Sequence, residues 1–275
     1  NSAGGLRRWR DTLGRIREAR YDLVIDLQGL LRSGLLAWLA SGAHTVGLDL
    51  RCEGARVFYD VAVPRPPDRP HAVDWYLDVA RSLGLEADDL PDSLPVRPKI
   101  RDRVQALMGG DDRSLVALIP GARWNNKRWP AGHFSELASR LDPAGGILRF
   151  GLFGGPDDRA LAQEITSGST AAFVDLTGRT SLAEMVEWLR ASRLVITNDT
   201  GPMHIAAALG RPVIGLFGPT DPARTGPYGG RAENLRIDLP CAPCMKGVCR
   251  WRHPLQCLQE LAPAVVAAVA QRMLR

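Results

Sequence analysis

No apolar stretch among the 275 residues is long enough to cross a bilayer, and the opening residues lack the layout of a secretory signal. Both absences leave the cytoplasm as the expected address. Lys and Arg nowhere form a dense block, although the net charge is +5, so nucleic acid is not an expected partner. A phosphorylated or carboxylated substrate, an anionic membrane face, or simply a solvated basic surface accounts for the excess. Internal repeats and low-complexity tracts are missing as well. Cysteine is scarce and uneven: four of the five lie between Cys241 and Cys257, which excludes a disulfide framework spread through a secreted fold. Nor is there an initiating methionine. The chain starts at Asn1 and its first clear apolar run begins at Leu23, so a preceding segment is expected.

What is present reads as an ordinary soluble chain, 45% hydrophobic and 24% charged, long enough for two domains. Apolar runs of strand length recur at 23–27, 115–119, 147–153, 194–197 and 213–217. Most of the segments between them space their apolar residues as helices do. In "SLAEMVEWLRAS", Ser181 and Glu184 have capping-box spacing, and Leu182, Met185, Val186 and Leu189 share one face. Pro130 opens a second helix, "PAGHFSELASRL". Strands alternating with helices predict βαβ units around a parallel sheet, an α/β fold. "VPRPPDRP" is a rigid loop, followed by a helix over 71–83 and a polar stretch, and a domain boundary is expected within 95–112. The second half holds at least four strands, enough for a complete doubly wound domain. The first shows one good strand, so that domain is expected to be partial.

Open parallel sheets bind ligands where strands end and helices begin, because helix amino termini present unpaired N–H groups there. "NDTGPMHIAAALGRPVIGLFGPTDP" contains two such ends in succession. Gly201 and Gly218 let backbone amides approach a diphosphate, and Thr200 and Thr220 add hydroxyl donors. His204, one turn into its helix, can reach back to the same anion. Asp199 suits sugar hydroxyls or the orientation of amides, and Asp221 stands at the second turn. Tight packing alone is the other reading of these glycines. A third strand end, "PGARWNNKRWP", has Gly121 in the turn and Arg123 and Lys127 as cations. A mobile ammonium beside amides suits a phosphate; a solvated basic loop is the plainer reading. The fourth end, "FGLFGGPDDR", has Asp157 and Asp158 placed to cap the next helix. Several loops on one edge of one domain thus converge on a phosphorylated ligand.

Cys241, Cys244, Cys249 and Cys257 form C-x2-C-x4-C-x7-C within seventeen residues, with His253 among them. Four thiols so spaced suit a tetrahedral zinc or iron. Reduced thiols on a structural loop, or a local disulfide, suit the pattern too. Cys52 reads as a buried small residue.

The segments "DTGPMHIAAALGRPVIGLFGPTDPARTGPYG", "GARWNNKRWPAGHF" and "YDLVIDLQGLLRSG" together resemble glycosyltransferase family 9, the heptosyltransferases of lipopolysaccharide core assembly. The likeness runs from about Tyr21 to the last helix. It implies a GT-B fold, two Rossmann-like doubly wound domains facing a cleft. The first would be an incomplete acceptor-side domain over 1–100, the second a nucleotide-sugar domain over 101–258, and 259–275 a terminal helix crossing back to the first. It also implies an inverting transfer of heptose from ADP-L-glycero-D-manno-heptose to the lipopolysaccharide inner core. The acceptor would be an anionic lipid-linked saccharide, ending in Kdo or the first heptose, met at the cytoplasmic face of the inner membrane through peripheral contact. No cofactor and no catalytic metal are implied.

By the same likeness, Lys127 and His204 are the catalytic residues that stabilise the leaving diphosphate. Asp199 and Gly201 match the donor motif and Thr220 and Asp221 line the same site by motif position, while Arg123 and Thr200 join them from their strand-end positions. Gln28 and Arg32 are the acceptor-side candidates, with Arg51 and Arg56 behind them. The family's general base is an aspartate in a Gly-Asp loop after its first strand. No such loop precedes Tyr21, and Asp26 stands in a different motif, so the chain as it stands is expected to turn over poorly. "VIDLQGLLRSG" and "HAVDWY" are nearer to the first heptosyltransferase, the Cys-rich tail to the second. A non-catalytic ADP-sugar-binding homologue and a GT-B-type nucleotide-sugar epimerase or hydrolase are the alternatives.

Overall fold

The alternation of apolar runs and helices builds two parallel sheets, one in each of two units, Asn1–Leu90 and Pro91–Arg275. The computed structural model describes residues 2–50, 53–87 and 94–275.

In the first unit the elements are α1 (Ser2–Glu18), β1 (Leu23–Asp26), α2 (Leu31–Leu39), β2 (His44–Leu48), β3 (Val61–Val63) and α3 (Ala72–Ser82). The strands pair in parallel in the order β1-β2-β3, with Leu23 opposite His44 and Val46 opposite Val61. Only β1 was foreseen. Gly47 disguises β2, and it is needed there because the Tyr59 ring fills the space a Cβ would take. Val46, Leu48 and Val63 pack on Trp75 and Val79 of α3, and the Trp75 indole N–H donates to the Val63 carbonyl at 2.9 Å. His71 caps α3 by accepting from the Val73 amide at 3.2 Å, where a helix start was expected.

The second unit continues with α4 (Pro98–Met108), β4 (Ser114–Ile119), α5 (Ala131–Leu141), β5 (Leu148–Leu152), α6 (Arg159–Ser167), β6 (Phe173–Asp175) and α7 (Leu182–Ala191). After these come β7 (Leu194–Asn198), α8 (Gly201–Ala208), β8 (Val213–Leu216), α9 (Pro222–Thr225), β9 (Ala232–Leu235), α10 (Gln256–Gln259) and α11 (Pro263–Leu274). Residues 98–108, read as part of an interdomain stretch, are therefore a helix of this unit, anchored by the buried Val104. All neighbouring strands are parallel, in the order β6-β5-β4-β7-β8-β9. The edges β6 and β9 escaped the sequence reading because one is three residues long and the other, "AENL", is polar and half-exposed.

Covering both faces of the sheet explains the unbroken apolar run of β4. Alternate side chains enter opposite cores. Val116 and Leu118 pack with Phe134 and Leu137 of α5 and Val266 and Ala270 of α11; Leu115 and Ile119 pack with Val104, Trp188 and Met203 of α4, α7 and α8. Each fully buried large apolar side chain contributes about 1.5–3 kcal/mol by leaving water. The terminal helix, for which the likeness implied a passage back to the first domain, has its small apolar face inside this second core, along α5. On α7 the Ser181–Glu184 capping box forms, with bonds of 2.8 and 3.3 Å. Its buried face centres on Trp188 and Leu189, while Leu182 is 67% exposed and so leaves the expected stripe. Both units are Rossmann-like, and the fold class is α/β.

Candidate functional site

With β4 as the first strand of its sheet, the second unit's order is 3-2-1-4-5-6, and the winding reverses between β4 and β7. The helix after β4 lies in one core and the helix after β7 in the other, so their connecting loops part at that point and leave a crevice. One buried side chain sets its shape. Asn198, at the end of β7, donates from Nδ2 to the Pro120 carbonyl at 2.7 Å and accepts at Oδ1 from the Trp129 amide at 3.1 Å. Both ends of the loop between β4 and α5 are thereby pinned to the tip of β7.

On this frame a short 3-10 turn, Asn125–Lys127, presents Lys127 to the crevice. Its Nζ donates to Asp199 Oδ2 at 2.7 Å and stands 4.6 Å from the centroid of the Trp124 ring. Asp199 is almost fully buried, with a side chain 7% exposed, against 18% for Lys127. Thr200 occupies the N-cap of α8 without a side-chain cap bond, and nothing lies within 4 Å of a Cβ built on Gly201. Arg123, Lys127, Asp199, Thr200, Gly201 and His204 line one cavity of about 360 Å³, together with Trp124 and Thr225. One held cation, an exposed guanidinium and the positive end of a helix thus line the cavity beside one carboxylate. The arrangement can receive a strongly anionic group.

A second cavity of about 410 Å³ shares Arg123 and Thr200 with the first and has apolar walls at Ile119, Phe153, Leu182 and Met185. Its floor contains Gly121, where an added Cβ would stand 2.5 Å from Asp158 Oδ2. The expected capping by Asp158 takes a different form. Its carboxylate makes no cap bond to α6, but accepts from the Gly155 amide at 3.0 Å and pairs with the Arg128 guanidinium at 3.4 Å. It serves the loop behind it, and that loop closes one side of the cavity.

Three predicted donor positions do not reach these cavities. Thr220 is buried, with its hydroxyl inside the fold and no partner among the described residues. Asp221 caps α9, accepting from the Ala223 amide at 3.0 Å, a demand the short Pro-initiated turn makes locally. Gly218 is a packing glycine: a Cβ there would meet Leu258 Cγ at 2.8 Å and Cys257 Sγ at 2.9 Å. Thr225 takes the place at the cavity that Thr220 was expected to hold.

In the first unit, Gln28 and Arg32 are exposed at the end of β1 and the start of α2. Asp26 is buried and its carboxylate is engaged, accepting from the Gln28 amide at 2.8 Å and the Tyr59 hydroxyl at 2.6 Å. Burial, and then Asp26 itself, push the Tyr59 hydroxyl pKa well above its ordinary value. Arg56 is tied to the buried Asp49 at 3.1 Å. Arg51 and Cys52 lie outside the described residues.

Cys241, Cys244, Cys249 and Cys257 are free thiols of intermediate burial that line a single cavity of about 240 Å³. Burial, followed by the neighbouring thiols, pushes Cys257 up to about 11. Among the described residues no three His, Cys, Asp or Glu side chains stand together closely enough to hold a metal ion. The cysteine segment touches the crevice loop directly. Asn126 Nδ2 donates to the Lys246 carbonyl at 2.8 Å, and a Cβ on Gly247 would lie 3.3 Å from the Trp124 ring.

Asn198, Asn126 and Trp124 carried no role in the sequence reading, although all lie inside quoted motifs. For Asn198 the available signal was an amide side chain at a strand tip, a common buried partner for loop backbone.

The model for glycosyltransferase family 9 (heptosyltransferase) matches residues 9–254. The chain is 35% identical to lipopolysaccharide heptosyltransferase 1 of Pseudomonas aeruginosa, over 97% of this chain and 77% of that protein. The solved structure of E. coli ADP-heptose lps heptosyltransferase II superposes with a TM-score of 0.74 at 27% identity, covering 96% of this chain and 80% of the other. E. coli heptosyltransferase WaaC with ADP-2-deoxy-2-fluoro heptose gives 0.67 at 26% identity, covering 97% and 81%. These neighbours share the GT-B class with the two Rossmann-like units described above.

Proposed function

The chain belongs to glycosyltransferase family 9, the heptosyltransferases, and from that premise we propose that its second unit binds an ADP-activated heptose in the crevice between β4 and β7. The transfer would be an inverting one, to an inner-core saccharide of lipopolysaccharide ending in Kdo or a first heptose. One observation carries the donor assignment: the Lys127 ammonium stands 2.7 Å from the buried Asp199 carboxylate, at the open amino terminus of α8.

In this reading the diphosphate lies against Lys127, Arg123 and the first turn of α8, and the adenosine takes the adjoining cavity walled by Leu182 and Met185. The acceptor hydroxyl oxygen bonds to the anomeric carbon as the bond from that carbon to the diphosphate breaks, and the hydroxyl proton passes to water. The departing ADP gains negative charge, which the ammonium, the guanidinium, His204 and the helix amides stabilise. Asp199 holds Lys127 in place through one oxygen and offers the other to a sugar hydroxyl. Asp26 is not assigned the acceptor's proton, because its carboxylate already accepts from Tyr59 and the loop amides. Gln28 and Arg32 are assigned to the anionic acceptor. No helix among the described residues is long and apolar enough to cross a membrane. The lipid-linked acceptor is assigned to peripheral contact at the cytoplasmic face.

Calorimetry with ADP, ADP-heptose and UDP-sugars, followed by ADP release with a panel of core acceptors, tests this. ADP-heptose and ADP should bind, UDP-sugars should not, and Arg32→Ala should leave ADP affinity unchanged while raising the acceptor KM. ADP release that ignores the acceptor would favour the hydrolase or epimerase alternative, and an absence of ADP binding would remove the donor site altogether.

A further inference from the structure

The four clustered cysteines play no part in the reading above. We propose that Cys241, Cys244, Cys249 and Cys257 together bind one thiophilic metal ion, zinc or iron, and that the loaded segment holds the donor loop in position through Asn126. The positioning half rests on the donor-site reading; the metal half does not.

Three observations converge. All four cysteines line the same cavity, and none is in a disulfide. The first pair has the C-x2-C spacing of a zinc knuckle, and thiolate sets of this kind select zinc or iron over the harder cations. The segment from 236 to 255 contains no helix or strand, so its shape depends on what ties it together. Among the described residues the thiols line the cavity without converging to ligand distance. Binding a metal ion releases the thiol protons, and the attraction between the cation and the thiolates so formed closes such a loop around it.

The segment is also fastened to the donor side. Met245 donates its amide to the Pro219 carbonyl at 2.8 Å, and the Lys246 carbonyl accepts from Asn126 Nδ2 at 2.8 Å. Asn126 is 5% exposed, and its Oδ1 has no partner among the described residues. Its amide nitrogen bonds to the cysteine segment, and Lys127 is the next residue. Ordering that segment therefore orders the backbone that carries the ammonium. Asn126 is a positioning residue in this scheme, not a catalytic one.

The test uses the whole chain, purified without chelator. Elemental analysis should find one zinc or iron per chain, and cobalt added to chelator-stripped protein should give thiolate-to-metal charge-transfer and tetrahedral ligand-field absorption. Both signals should be lost in Cys244→Ser/Cys249→Ser. Asn126→Ala should keep the metal yet weaken ADP binding by roughly 2- to 10-fold, the worth of one hydrogen bond. Sub-stoichiometric metal with no cobalt spectrum, or disulfides among the four cysteines by mass spectrometry, would overturn the site. Full metal with ADP affinity unchanged in Asn126→Ala would overturn the positioning role. Failure of the metal-loaded wild-type chain to bind ADP would instead defeat the donor reading.

Discussion

Removing the Lys127 ammonium is the most direct test of the crevice, because its two consequences can be separated. A charge-assisted hydrogen bond to a diphosphate is worth about 1.5–3 kcal/mol, so Lys127→Ala should weaken ADP binding about tenfold to 150-fold. The fold should suffer as well. Asp199, with its side chain 7% exposed, loses its partner at 2.7 Å. Breaking a fully buried pair from one side costs about 3–5 kcal/mol, and the partial exposure of Lys127 brings the expectation to about 1–3 kcal/mol.

The second substitution, Asp199→Asn, tells the two effects apart. In Lys127→Ala/Asp199→Asn the orphaned charge is gone, so most of the lost stability should return while ADP affinity stays low. Thermal unfolding reports the first quantity and calorimetric titration with ADP the second. If the double variant binds ADP as the wild type does, Lys127 only neutralises Asp199 and does not touch the diphosphate. ADP affinity within about twofold of wild type in Lys127→Ala alone would refute the reasoning at its root, since such a change is far below the worth of one ionic hydrogen bond.

Two further outcomes follow from other parts of the second unit. Gly201→Ala adds a methyl where nothing lies within 4 Å; the melting temperature should hold or rise, while ADP binding should weaken by about 1–3 kcal/mol as the methyl meets the ligand. Equal affinity would mean that no ligand approaches the start of α8. Asp142 accepts at Oδ2 from the amides of Gly146, Ile147 and Leu148, at 3.0 to 3.2 Å. Burial alone would raise its pKa, but these amides outweigh it and hold the carboxyl below its ordinary range. A lowered folded pKa means that the stabilisation is complete above the unfolded pKa, near pH 4, and is lost as pH falls through the folded value. Asp142→Asn should therefore lower the urea midpoint at pH 7 and flatten its fall below pH 4, and an unchanged acid slope would exclude Asp142 as the source.

The regular core was largely legible because its signals are local. Five apolar runs became strands, and the capping box at Ser181 and Glu184 formed as its spacing required. What escaped was set by tertiary surroundings. β2 contains a glycine because Tyr59 lies across it, and β9 is polar because it is an edge. A period-based reading discounts both strands for reasons visible only in the assembled sheet. Leu182 was misplaced for a related cause. It begins α7 beside a cavity, so a residue with the right helical phase has no core to enter.

The same distinction runs through the site. Residues read from strand-tip position and charge, namely Arg123, Lys127, Asp199, Thr200, Gly201 and His204, do gather at one cavity. Thr220, Asp221 and Gly218 had equally good positions, and the second turn spends them on burial, a helix cap and close packing against Cys257. Sequence position specifies that a loop stands at the ligand edge of the sheet, but not which of its side chains turn outwards. That choice follows from bonds made at long range, such as Asn198 gripping both ends of the 120–129 loop. Those latches also give the crevice its rigidity. A diphosphate bound through lysine alone would meet a mobile cation, whereas here the ammonium is held by Asp199 and Trp124 on a loop tied at three points, counting Asn126. The entropy of ordering the cation is largely met in folding, leaving more of its attraction for the ligand.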